Sequence, residues 1–183
     1  MLFRSGALFR LALPLPLALL QLRHNGRCAV EGVTVTALLL VALMGPIRGP
    51  LVLFPYGLLA LWLGWCWRRQ LSWWLSWSVG LLIGTAGFLV RVAVLSVLLG
   101  ENLWVVITTA AAQLLERLAE LLHLGGGPDL LQVQLMALGL VLLQNLIYVL
   151  ALHAVALWIF QRLQSPISAP PAVLRPLLAL DPL

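Results

Sequence analysis

Six long apolar runs, divided by short turns rich in breakers, set the pattern of this chain. They extend over Leu8 to Leu22, Cys28 to Met44, Pro50 to Trp67, Trp73 to Leu99, Leu103 to about Gly125, and Leu130 to Phe160. Each approaches the roughly 20 residues that a helix rising about 1.5 Å per residue needs to cross a bilayer. The first run is marginal, because Pro14 and Pro16 remove two backbone donors from its middle and make it a kinked or half-inserted segment. The fifth turns amphipathic before Gly125, Gly126, Gly127 and Pro128, and the sixth is long enough to require tilt or a protruding end.

The connections are Asn25-Gly26, Gly45 to Pro50, Arg68-Arg69-Gln70 and Gly100-Glu101-Asn102, so consecutive helices are expected to lie antiparallel and adjacent. The expected fold is all-α: a polytopic transmembrane bundle of five to six helices, forming one domain over residues 1–163. Residues 164–183, opening with Ser-Pro-Ile-Ser-Ala-Pro-Pro, read as a flexible, unpacked tail.

Composition supports the same solvent. Of 183 residues, 62% are apolar and 9% are charged, and the mean hydropathy is +1.05, far from the usual soluble balance. All eleven basic residues are arginines, scattered singly and in pairs between the apolar runs. They read as membrane-boundary anchors and not as a nucleic-acid stripe. Trp65, Trp67, Trp73, Trp74 and Trp77 flank Arg68-Arg69 like an interfacial aromatic belt, which marks one membrane face, side B. With six crossings, side B carries Arg23, Arg27, Arg68, Arg69 and Arg117, and side A carries Arg4, Arg10, Arg48, Arg162 and Arg175. The counts tie, so the arginines do not orient the chain. Glu31, four residues after Arg27, is expected to pair with it, and Cys28 and Cys66 read as small apolar residues.

Polar groups at membrane depth are the candidate functional residues. Gly80, Gly84, Gly87 and Arg91 share one narrow stripe of the fourth run, where the glycines allow close helix packing and Arg91 points along the same seam. Arg91 lies about 12 Å below side A, where it either snorkels or serves a ligand. On the sixth run Gln134, Gln144, Asn145 and Tyr148 share an arc with His153 at its edge. Such a stripe needs protein or a wet cavity in front of it. Tyr56, Thr108 and Thr109 fall near the depth of Arg91, so these groups could line one pocket for a small polar or anionic ligand. Thr109, Gln113, Glu116, Arg117, Glu120 and His123 share another face, read as a helix end emerging into the headgroups or the border of a vestibule. Catalytic, metal-binding and cofactor signatures are missing, which argues against an enzyme.

Leu8 to Pro16, Met44 to Pro50, Phe54 to Gly57 and Gly100 to Trp104 resemble the YybS-like family of membrane proteins, in its cyanobacterial branch. That family is more distantly similar to the substrate-binding S components of energy-coupling-factor transporters. The resemblance implies a subunit that captures a vitamin or metal-linked micronutrient in the bacterial plasma membrane, or in a thylakoid. It further implies a transmembrane coupling subunit with ATPases as partner, and a cytoplasmic Gly45-Pro46 turn that puts side A inside. Relatives carry a further helix upstream, so the first helix here reads as truncated or the start as misplaced, which puts docking on the coupling subunit in question. The alternative role is a scaffold or assembly factor of a membrane complex, with the glycine seam and tryptophans as partner contacts.

Overall fold

A computed structural model describes residues 13–121, 127, 129–165, 167–168 and 170–171. Leu8, Arg4, Arg10, His123, Gly125, Gly126, Pro128 and Arg175, which figure in the sequence reading, lie outside these residues. The described residues form helices and no strands: α1 (Pro14–Arg23), α2 (Gly26–Met44), α3 (Arg48–Leu53), α4 (Tyr56–Arg68), α5 (Trp73–Leu99), α6 (Leu103–Leu121) and α7 (Leu130–Arg162). The all-α fold is thus as expected. Four stretches are long and apolar enough to cross a membrane: Gly26–Met44, Arg48–Arg68, Trp73–Leu99 and Leu130–Arg162. In the second of these α3 passes to α4 through a cis Phe54-Pro55 peptide bond.

The helix ends follow from local chemistry. Pro14 and Pro16 do not interrupt α1; Pro14 opens it, in the first turn, where a missing N–H removes no intrahelical bond. Asn25 caps α2 by accepting from the Cys28 N–H at 3.0 Å. Gly45 ends that helix with φ +91°, a left-handed conformation that a side chain would strain.

The chain divides into two compact units, Met1–Gly84 with Tyr148–Leu183, and Thr85–Ile147. In the first, α1 packs chiefly against α4, and α2 against α3 and α1. Leu59, Leu63, Trp67, Leu152, Leu157 and Phe160 are almost fully buried in its core. Close approach needs small residues: a Cβ at Gly64 would meet Ala18 O at 2.9 Å, and one at Gly49 would meet the Leu40 and Val41 backbone at 2.6 Å. In the second unit Ala111, Val133 and Ala137 form a buried cluster, with Trp104, Ile107 and Leu115 packed against them, and Val141 is buried as well. Leucines are exposed along the apolar helices, among them Leu38 at 64% and Leu43 at 80%, which is a lipid-facing surface and not a soluble one.

One end of the first unit corrects the sequence topology. Arg23, at the end of α1, donates to Ser165 Oγ at 3.1 Å and to the Leu163 carbonyl. Trp73, at the start of α5, donates from Nε1 to Ser168 O at 2.8 Å, and Ser168 Oγ donates to Leu71 O at 3.2 Å. The C-terminal end of α7 therefore sits beside the Arg68-Arg69 turn, on side B, and Arg162 belongs there and not on side A. Among the described residues α6 is not one of the helices long and apolar enough to span; Glu116, Arg117 and Glu120 on its second half lower its apolar character.

The same contacts dock the start of the tail, which the sequence reading left unpacked. Ile167 is 7% exposed and packs on the core. The belt also divides. Trp67 and Trp73 point into the core at 1% and 5% exposure, while Trp65 and Trp74 face outward, Trp65 with the Arg69 guanidinium 5.4 Å from its ring. Arg27 and Glu31 are both exposed, and no ion pair joins them among the described residues; an Arg preceding its Glu by four is the weaker helical order.

Candidate functional site

The structure distributes the sequence candidates between the two units. Tyr56, Tyr148, His153, Gly80 and Gly84 fall in the first. His153 is 1% exposed. Its Nε2 lies 2.9 Å from Ser76 Oγ and its Nδ1 2.9 Å from Val149 O. The Trp67 ring meets it edge-on at 5.5 Å and Trp73 at 5.0 Å. Both ring nitrogens are engaged within the protein, so His153 ties α5 to α7 as a buried polar joint. Tyr56 meets Tyr148 edge-to-face, with ring centres 5.7 Å apart. Gly80 provides the close packing expected of the seam: a Cβ there would meet Val149 Cγ1 at 3.2 Å and Leu59 Cδ1 at 3.4 Å. Gly84 is buried too.

Arg91, Thr108, Thr109, Gln134, Gln144, Asn145 and the buried Gly87 fall in the second unit. Arg91 is half-buried. Thr108 Oγ1 donates to Trp104 O at 3.1 Å, and Thr109 Oγ1 donates to Val105 O at 2.8 Å. Asn145 Nδ2 likewise donates to Val141 O at 2.9 Å. These three polar groups are satisfied by their own helices, the local alternative open to short polar side chains. Gln134 is different: its Oε1 accepts from Trp104 Nε1 at 2.9 Å and so joins α7 to α6. Gln144 is exposed, as are Gln113, Glu116, Arg117 and Glu120 on α6.

The open space in this unit lies where α5 gives way to α6. A cleft of about 640 Å³ is lined by Leu89, Val92, Ala93, Val97 and Gly100 on its apolar side, and by Ser96, Glu101, Asn102 and Trp104. Ser96 Oγ accepts from the Leu103 N–H at 3.0 Å and donates to Val92 O at 2.8 Å. Asn102 Oδ1 accepts from the Trp104 N–H at 3.1 Å. These bonds hold the turn between the two helices in shape and leave the Glu101 carboxylate exposed at the mouth. It is a shallow groove, open over most of its surround, with an apolar wall and a few fixed polar groups.

Ser96, Glu101, Asn102 and Trp104 are not among the residues that the sequence singles out as ligand-lining, and Arg91 is not among those that line the cleft. Gly100-Glu101-Asn102 reads in sequence as a connector. The available signal was a carboxylate and an amide placed between a Ser on one helix and a Trp on the next.

No curated protein and no solved structure matches the chain. A family model does match, over residues 5–173. With that span covering every helix described above, the chain belongs to the family described as predicted membrane protein (DUF2232).

Proposed function

We propose that this membrane protein is a solute-binding subunit of a micronutrient transporter, similar in role to an S component, and that it catalyses no reaction of its own. The observation that carries the reading is the cleft of about 640 Å³ between the end of α5 and the start of α6. In this reading the ligand is a small amphipathic solute whose apolar part lies against Leu89, Val92 and Val97. Its polar part meets Ser96, Asn102 and the Glu101 carboxylate, with Trp104 as the flat wall. Arg91 and the amides of α7 lie outside the cleft, Gln134 as the link to Trp104. A coupling subunit with ATPases supplies the energy.

The arginines support the reverse of the orientation that the S-component resemblance implies. Arg23, Arg27, Arg68, Arg69 and Arg162 gather on side B, against Arg48 and Arg117 on side A among the described residues. The positive-inside rule then puts side B in the cytoplasm and the mouth of the cleft, at Glu101, on the outer side, where a captured solute would arrive.

Thermal unfolding of the purified protein against a panel of vitamins and metal-linked micronutrients tests the reading. A true ligand at a hundred times its dissociation constant adds about 2.7 kcal/mol, and Trp104→Ala or Glu101→Gln removes most of that gain. A panel without a hit, together with co-purification in a complex that holds no ATPase, contradicts it and favours a scaffold.

A further inference from the structure

At the side B end of the first unit lies a second cleft, of about 330 Å³, lined by Gln21, Gly26, Trp65, Arg68 and Arg69. Its lining holds two guanidinium groups and no carboxylate. The carbonyls at the end of α4, which would ordinarily attract those cations, are already taken. Arg69 N–H donates to Trp65 O at 3.1 Å, Leu71 N–H to Cys66 O at 3.0 Å and Gln70 N–H to Trp67 O at 3.1 Å. Arg68 and Arg69 are exposed, and among the described residues neither forms an ion pair. The Arg69 guanidinium is held over the Trp65 ring at 5.4 Å, which restricts where its N–H groups can point.

The other wall adds positive potential. Gly26 is the first residue of the 19-residue helix α2, and the Asn25 cap satisfies only the Cys28 N–H. The Gly26 and Arg27 N–H groups precede any intrahelical acceptor and carry the positive end of the helix dipole. A Cβ at Gly26 would have nothing within 4 Å, so the backbone there is open to a ligand. Gln21, on the third wall, is 7% exposed; its unpartnered Oε1 is an acceptor and adds nothing to the attraction for an anion. Two unpaired guanidiniums, a helix N-terminus and a cleft without an acid are complementary to an oxyanion with several acceptor oxygens.

The geometry points to a binding site for a phosphate-bearing anion in this cleft, held by the Arg68 and Arg69 guanidiniums and the first-turn N–H groups of α2. The site lies at the membrane boundary, with Trp65 beside it, where the phosphodiester of an anionic lipid headgroup and free phosphate are both within reach. It is separate from the cleft at Glu101 and does not depend on that cleft's ligand.

The test uses the purified full chain in a neutral detergent, with thermal unfolding followed while short-chain phosphatidylglycerol, short-chain phosphatidylcholine or inorganic phosphate is titrated. The expected result is saturable stabilisation by phosphatidylglycerol over phosphatidylcholine. In the R68Q/R69Q variant the apparent affinity falls roughly 25-fold, about fivefold for each arginine, while R48Q, at the opposite end, leaves it unchanged. Stabilisation by inorganic phosphate with the same arginine dependence, and competition with the lipid, assigns the site to the free anion; its absence assigns it to the headgroup. No saturable binding of either probe, equal binding by wild type and R68Q/R69Q, or an equal loss in R48Q overturns the proposal.

Discussion

The two units of this protein solve the problem of polar groups in an apolar setting in opposite ways. The first buries them: His153 has a partner on each ring nitrogen and an indole on two sides, Gln21 Oε1, Trp67 Nε1 and Trp77 Nε1 are buried without a partner among the described residues, and Gly49 and Gly64 bring backbones close together. The second leaves space. Its core cluster is Ala111, Val133 and Ala137, its described interhelical side-chain bonds are Trp104 to Gln134 and Leu103 N–H to Ser96, and a cleft remains between α5 and α6. Dense packing fixes a single arrangement, whereas sparse packing lowers the cost of local rearrangement. In the function proposed above, the second unit, with its smaller core, is the one that receives the transported solute.

Substitutions in the two units should break that comparison if it is false. His153→Ala removes a ring packed between two tryptophans and strips a partner from Ser76; we expect a loss of about 3 kcal/mol, read as a lower unfolding midpoint in detergent. Gly49→Ala forces a methyl against the Leu40–Val41 backbone and should lose about 2 kcal/mol in the same assay. Gln134→Leu, in the second unit, breaks the bond to Trp104 but replaces an amide by an apolar group, and should lose no more than about 1 kcal/mol. A loss at Gln134 equal to that at His153 would show the second unit to be as tightly determined as the first.

How much of this was legible in the sequence depends on whether the signal was local. Asn25, Gly45 and Gly100 end helices because of their own chemistry, and each turn stands where its breakers are. Of the six apolar runs read as near spanning length, four contain stretches long and apolar enough to span. The fate of the tryptophans was not legible: Trp65 and Trp67 have the same flanks, and only the packing of α4 against α1 and α7 turns one outward and the other into the core. Periodicity put Thr108, Thr109 and Asn145 on particular faces, but not their rotamers, which return each polar atom to its own helix. The tie in arginine count came from treating α6 as a crossing. Its charged second half lowers its apolar character, and nothing within that segment reveals that α7 ends beside Arg23. The cleft at Glu101 was hidden because its polar groups sit on a connector, where solvent exposure is the ordinary explanation.

The proposed orientation and outward mouth of the cleft rest on four crossings by the described helices, with α6 crossing nothing, and side-specific cysteine labelling tests this most directly. In a background with Cys28 and Cys66 replaced, single cysteines at Ser72, Glu101, Gly127 and Ser165 would be probed with a membrane-impermeant maleimide in intact cells and in inverted vesicles. The account predicts that Glu101→Cys and Gly127→Cys react in intact cells, while Ser72→Cys and Ser165→Cys react only in inverted vesicles. Reaction of Gly127→Cys together with Ser72→Cys, and of Ser165→Cys together with Glu101→Cys, would mean that α6 crosses the membrane and would contradict it.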